Sequence, residues 1–320
     1  MNRYACDLAD IQQAAARLRA FAHRTPVATC ATLDRLAGRS CFFKCEHLQK
    51  AGAFKFRGAV NAVAQLTPDR GQRGVVTHSS GNHAQALALA ARLHGIAAHV
   101  VMPSNASPVK RRAVEDYGAR VILCEPNLAA RETTVARVVE ETGGILIPPY
   151  NHPHIIAGQG TTALELLEQA PDLDAIIAPV GGGGLLAGVA LAAKALRPDI
   201  CVFAAEPAGA DDAFRSKAAG KLLPQTGPST VADGLLTSMG DLTWPVLRDL
   251  VEGVIVVSEE EIIAAMRLAW ERAKFLIEPS SAVAVAAVHS QEFRSLQAPA
   301  RVGIILSGGN VNLDRLPWQQ

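Results

Sequence analysis

The stretch Ala175-Ile176-Ile177-Ala178-Pro179-Val180-Gly181-Gly182-Gly183-Gly184-Leu185-Leu186-Ala187 decides the fold. Its first six residues are an apolar run of strand length. Glycines 181–184 break the run, and over 185–196 the pattern predicts a helix. A strand, a tight glycine loop and a helix in succession are the opening of a β/α unit. The alternation continues in both directions. Apolar, largely β-branched runs at 74–77, 98–102, 121–124, 202–205 and 302–306 predict further strands, and segments such as 84–93 predict helices between them. Alternating strands and helices imply mostly parallel sheets covered on both faces, an α/β fold. In such sheets ligands bind beyond the carboxyl ends of strands, so residues just after strands are the functional candidates.

Successive N–H groups of the glycine loop can converge on one anion, and the helix N-terminus adds partial positive charge. The loop lacks the Gly-Lys-Ser/Thr ending of a P-loop. Gly182 to Ala187 also fits a G-x-G-x-x-A dinucleotide fingerprint, with Glu206 ending the next strand where a ribose-binding acid would sit. The loop alone leaves a phosphate cup and a dinucleotide site both open.

Three other post-strand segments and one lysine carry chemistry. Lys55 lies in Gly52-Ala53-Phe54-Lys55-Phe56-Arg57-Gly58-Ala59. Two flanking phenylalanines desolvate its amine, which lowers a lysine pKa and makes a nucleophile toward aldehydes. The plainer reading is a snorkelling lysine on a half-buried element. His78-Ser79-Ser80-Gly81-Asn82-His83 offers hydroxyls and helix N-terminal amides to a carboxylate, or simply an N-cap serine. No G-x-S-x-G elbow supports a hydrolase. Leu306-Ser307-Gly308-Gly309-Asn310 permits close backbone approach to a planar ligand. Glu206, Asp211 and Asp212 lie in a turn that suits a hard cation, or a solvated acidic turn.

Composition bounds the alternatives. The chain has 320 residues, 49% hydrophobic and 19% charged, enough for a large core or two lobes. Net charge is +1 with no basic block, so we expect no nucleic-acid or membrane partner. The six cysteines form no C-x-x-C pair and read as reduced thiols. The N-terminus has no apolar signal core, and no apolar stretch reaches membrane-spanning length. We therefore expect a cytoplasmic protein. Turn-rich segments at 66–69 and 148–153 suggest a large domain of residues 1–66 and 151–320 and a small domain of 67–150.

In order, Lys44-Cys45-Glu46, the Lys55 motif, Ser79-Ser80-Gly81-Asn82-His83, Gly181 to Gly184, Glu278-Pro279-Ser280-Ser281 and Ser307-Gly308-Gly309-Asn310 resemble fold-type II pyridoxal-phosphate enzymes. The nearest resemblance is to serine racemase and to the serine, threonine and 3-hydroxyaspartate dehydratases. It implies a two-domain fold of the tryptophan synthase β type, with the cofactor in the cleft. Lys55 would carry pyridoxal 5'-phosphate as a Schiff base, with Phe54 beside the ring. Asn82 would bond the phenolic oxygen, Gly181, Gly182, Gly183, Gly184 and Leu185 the phosphate, and Ser307 would face the pyridine nitrogen. A neutral hydroxyl there does not hold the ring nitrogen protonated, which favours expulsion of a β-leaving group.

The resemblance further implies that Ser79, Ser80, Gly81, Asn82 and His83 receive the substrate carboxylate. Ser80 would reprotonate the Cα face opposite Lys55. Arg131 would meet a second carboxylate, or else face solvent from a helix. Glu206, the Ala210 carbonyl and Asp212 match a Mg²⁺ site that Ca²⁺ or Mn²⁺ would also suit. The expected activity is an ammonia-lyase (dehydratase) converting L-threo-3-hydroxyaspartate, L-serine or L-threonine into a 2-keto acid and ammonia. The alternatives are a serine or aspartate racemase on the same site, and a non-catalytic cofactor- or amino-acid-binding protein. A homodimer is expected, as is the absence of a C-terminal regulatory module, because the chain ends at Gln320. Ala53 and Tyr150 depart from the pattern, standing where many members have serine and some have asparagine.

Overall fold

The computed structural model describes residues 3–79, 81–106, 108–297 and 299–319. Its strands are β1 (Val27–Ala28), β2 (Ser40–Lys44), β3 (Val75–His78), β4 (Ala98–Pro103), β5 (Arg120–Cys124), β6 (Ile145–Leu146), β7 (Ala175–Pro179), β8 (Cys201–Pro207), β9 (Gly253–Val257) and β10 (Arg301–Ile305). They form a six-stranded sheet in the order β1-β2-β10-β7-β8-β9 and a four-stranded sheet in the order β5-β4-β3-β6. Every pairing is parallel except β1 with β2. This is the α/β class that the alternation predicts, with β1, β2, β6 and β9 added to the strands named above. β10 lies between β2 and β7, so the chain that follows β2, β10 and β7 emerges along one sheet edge.

The central strands β4, β7 and β10 are apolar because they are covered on both faces. Ile176, Ala178 and Val202 face one side with the helix Gly184–Leu196, whereas Ile177, Ala205 and Ile304 face the helix Pro279–His289. A third cluster builds under the four-stranded sheet. There Phe56, Ala59 and Val60 of the helix Lys55–Val63 pack with Val75, Ala84 and Leu87. The same helix crosses the helix Pro153–Gln169 at backbone contact. A Cβ on Gly158 would lie 2.6 Å from the Gly58 Cα, so only glycine fits there.

Beneath that crossing lies a buried ion network. Arg57 donates to both carboxylate oxygens of Glu46, at 2.7 and 2.8 Å, and to both of Glu165 at 2.8 Å. Lys44 donates to Glu165 at 2.7 Å, to the Thr25 carbonyl and to Gln169. Arg57, Lys44 and Glu46 are all buried, and each charge has a partner, which removes the large penalty of an isolated buried ion. The network ties β2 and the helix Pro153–Gln169 to the first turn of the helix that begins at Lys55.

All six thiols are free. Among the described residues no helix is long and apolar enough to cross a membrane.

Candidate active site

Lys55 opens its helix directly after a tight turn. Ala51 and Gly52 both have positive φ, 55° and 68°, and Ala53 bridges to Gly308. The Phe54 N–H donates to the Ser307 carbonyl at 3.0 Å, so the lysine turn lies against the loop that follows β10. The Lys55 amine donates to the Pro149 carbonyl at 2.6 Å and sits 5.1 Å from the Phe54 ring centroid. The amine is desolvated. Burial lowers its pKa to about 8, against the pull of the Glu278 carboxylate. The snorkelling reading fails, because the amine points into the protein.

Ser307 is buried just beyond β10. Asn82 begins the helix Asn82–Leu93 behind Gly81, and donates to Glu278 Oε1 at 2.6 Å. Asn310 joins the pair, donating from Nδ2 to Asn82 Oδ1 at 2.9 Å and from its backbone to Glu278 Oε2 at 3.2 Å. Burial raises Glu278 to about 7, with Asp233 pushing the same way and Lys110 opposing. In the sequence Glu278 and Asn310 are only letters of their motifs. Their convergence with Asn82 is tertiary, across segments far apart in the chain.

The glycine loop is buried throughout. Gly183 caps the helix Gly184–Leu196 at φ +86°, and a Cβ there would lie 2.7 Å from Thr243 Oγ1. Thr243 Oγ1 donates to the Gly182 carbonyl at 2.8 Å. The loop is thus held by a carbonyl, and the helix-start N–H groups are those a helix leaves without internal partners. The Tyr150 ring lies against Gly182, where any Cβ would overlap it. Glu206 cannot serve a ribose as the dinucleotide reading requires. Its Oε1 accepts from the Ala213 N–H at 3.0 Å and its Oε2 from the Phe214 N–H at 2.9 Å, inside the fold.

The substrate-loop residues lie beyond β3. Ser79 Oγ accepts from the Gly81 N–H at 3.4 Å, so Ser79 braces the turn and does not cap the helix. Ser80, expected to act on Cα, lies outside the described residues. His83 is buried, and its Nε2 donates to the Ile147 carbonyl at 3.0 Å. Burial, aided by the Lys55 charge, lowers His83 to about 3, which makes it a neutral group. Arg131, on the helix Leu128–Thr142, is half-buried with its Nε shielded and without a partner among the described residues, and its charge helps depress His78 at the end of β3. It therefore turns toward the loop that His78 begins.

Glu206, Asp212 and Ala210 are all buried around the turn after β8. Asp212 Oδ2 accepts from the Met239 N–H at 2.8 Å, while Oδ1 is buried without a partner among the described residues. Burial raises both carboxyl groups, Glu206 to about 8; the Asp212 and Asp211 charges add to the rise at Glu206, and Asp211 to that at Asp212. Two crowded, desolvated carboxylates with one spare oxygen suit a hard cation. Among the described residues no group of three or more His, Cys, Asp or Glu side chains is arranged to hold a metal.

A planar, anionic aldehyde cofactor fits the constellation. The glycine cradle would be filled by any side chain, the amides at its helix N-terminus suit a phosphate, and the desolvated Lys55 amine suits a carbonyl.

Comparison with known proteins agrees. The family model for "Pyridoxal-phosphate dependent enzyme" matches residues 18–308. Serine racemase of Arabidopsis thaliana is 53% identical over 318 residues, covering 98% of this chain and 96% of the relative. The solved structure of maize serine racemase aligns with a TM-score of 0.97 at 51% identity, covering 99% of this chain and 97% of that one. The solved T.th. threonine deaminase aligns with a TM-score of 0.91 at 44% identity, covering 96% of this chain and 99% of that one.

Proposed function

The chain belongs to the pyridoxal-phosphate dependent enzyme family, and from that premise we propose that it racemises serine, with β-elimination as a second outcome at the same site. The observation that carries this reading is the likeness of nearly the whole chain to serine racemases at about half identity. It supports the racemase alternative better than the dehydratase expected first from the motifs. The likeness to a threonine deaminase supports the elimination branch.

Lys55 would hold the cofactor through its amine, Phe54 and Asn82 would contact the ring and phenolic oxygen, and Ser307 the pyridine nitrogen. Gly181, Gly182, Gly183, Gly184 and Leu185 would hold the phosphate. When bound, the cofactor supplies an electron sink that acidifies the Cα–H bond of an attached amino acid. The amine of Lys55, lowered to about 8, is then in reach of neutrality at physiological pH and takes the proton from one face of Cα. Ser80 delivers a proton to the other face. Ser79 and the backbone N–H groups of Gly81, Asn82 and His83 receive the substrate carboxylate, while the neutral His83 ring stays on the Ile147 carbonyl. Arg131 favours substrates with a second carboxylate.

Glu206, Asp212 and the Ala210 carbonyl would hold Mg²⁺ at the turn after β8. The same proposal includes a large domain of 1–66 with 151–320, a small domain of 67–150, a cytoplasmic setting and a homodimer.

The test is L-serine turnover by the cofactor-loaded protein, with chiral chromatography of serine and keto-acid assay in one sample. Both D-serine and pyruvate are expected. Ser80→Ala should lose D-serine and keep pyruvate, and equal loss of both would remove Ser80 from its role.

A further inference from the structure

Asn310 is bonded to three segments of the site. Its Nδ2 donates to the Ala51 carbonyl at 2.8 Å and to Asn82 Oδ1 at 2.9 Å. Its backbone N–H donates to Glu278 Oε2 at 3.2 Å. Its Oδ1 lies over Gly52, where a Cβ would be 2.5 Å away. Among the described residues Ala51 is one of two non-glycine residues with positive φ, so a strained turn aims this carbonyl four residues before Lys55.

The polarity of this chain of bonds is set at the Ala51 end. A backbone carbonyl only accepts, so the Asn310 atom facing it is the NH₂. The same NH₂ faces Asn82, so the Asn82 atom there is oxygen. The Asn82 nitrogen therefore faces Glu278 and spends only one of its two N–H bonds on it. Glu278 cannot fix this rotation by itself, because a carboxyl group accepts when ionised and can donate when protonated.

We propose that Asn310 is a positioning residue that locks the Asn82 carboxamide in one rotation and so keeps one Asn82 N–H free for an anionic ligand oxygen. This rests on the reading of Asn82 as the partner of the cofactor's phenolic oxygen. The opposite rotation would present the Asn82 carbonyl to that oxygen and repel it. Asn310 itself touches no reacting atom.

The test measures retention of pyridoxal phosphate rather than turnover. Holoenzyme is dialysed against graded cofactor, and the dissociation constant and the pH profile of the visible band are read by absorbance. Four proteins form a cycle: wild type, Asn310→Asp, Asn82→Ala and the double variant. Aspartate keeps the size of Asn310 but has no N–H, so Asn82 must turn its nitrogen toward it. Asn310→Asp should weaken retention about tenfold or more, the scale of one hydrogen bond to a charged group, and move the pH profile of the band. The double variant should bind no more weakly than Asn82→Ala alone.

A merely structural Asn310 would give losses that multiply, with an unmoved band, and that result overturns the proposal. So does an Asn310→Asp protein with wild-type retention. If the aspartate variant does not fold, Asn310→Ala carries the same cycle. A wild-type protein that binds no pyridoxal phosphate would overturn both this inference and the reading beneath it. That failure is recognised before any variant is made.

Discussion

Asn82 donates to Glu278 at 2.6 Å across 196 residues of chain, joining the helix after β3 to the helix Pro279–His289. The bond holds a carboxyl group that burial has raised from 4.5 to about 7. Asp233 pushes it further up, while Lys110, itself paired with Asp233, and Lys55 pull it down. Between those two values the folded state holds more protons than the unfolded chain. The contribution of Glu278 to stability is thus full below pH 4.5 and is lost as pH rises through 7. Relative to wild type, Glu278→Gln in the cofactor-free protein should gain about 3 kcal/mol between pH 4.5 and pH 7.5. Urea unfolding at both pH values checks this, and parallel behaviour of the two proteins counts against a raised Glu278.

Arg57 is the keystone of the buried network below Lys55. Arg57→Met leaves Glu46 buried with its main cationic partner gone. The expected loss is about 3–5 kcal/mol in denaturant unfolding. A double variant, Arg57→Met with Glu46→Leu, should recover part of it, because no unpaired charge remains. No recovery would mean that the loss comes from packing.

Gly183 has a left-handed backbone and no room for a methyl group beside Thr243. Gly183→Ala should cost about 1–2 kcal/mol in backbone strain alone and weaken cofactor retention. Isothermal binding of pyridoxal phosphate measures the second effect. Unchanged affinity would remove the loop from phosphate binding.

Much of this site is legible in sequence where the chemistry is contiguous. Lys55 between its phenylalanines, the run from Gly181 to Gly184 and the Ser307 loop each announce themselves, because strand, loop and helix follow one another in order. What stays hidden is made by convergence. No local pattern puts Pro149 on the Lys55 amine, Tyr150 on Gly182 or Asn310 between Ala51 and Asn82. Arg57 shows the same limit: no local pattern announces its burial, which only Glu46 and Glu165 together make tolerable. The short strands β1 and β6 are also beyond periodicity, since two residues carry no period.

The turn after β8 gives a test of the proposed cation. Among the described residues Asp212 Oδ1 is buried without a partner, and the Asp212 charge reaches Glu206. Mg²⁺ at about a hundredfold excess over its Kd should stabilise the fold by about 2.7 kcal/mol. Asp212→Asn should erase that gain in a thermal shift with and without EDTA. A gain that survives the substitution places the ion elsewhere.

The most direct measurement follows L-serine with the cofactor-loaded protein and resolves the enantiomers over time. The account predicts D-serine appearing from L-serine, L-serine appearing from D-serine, and both rates vanishing in Lys55→Ala together with the visible band of the bound cofactor. Pyruvate and ammonia without any D-serine would contradict it.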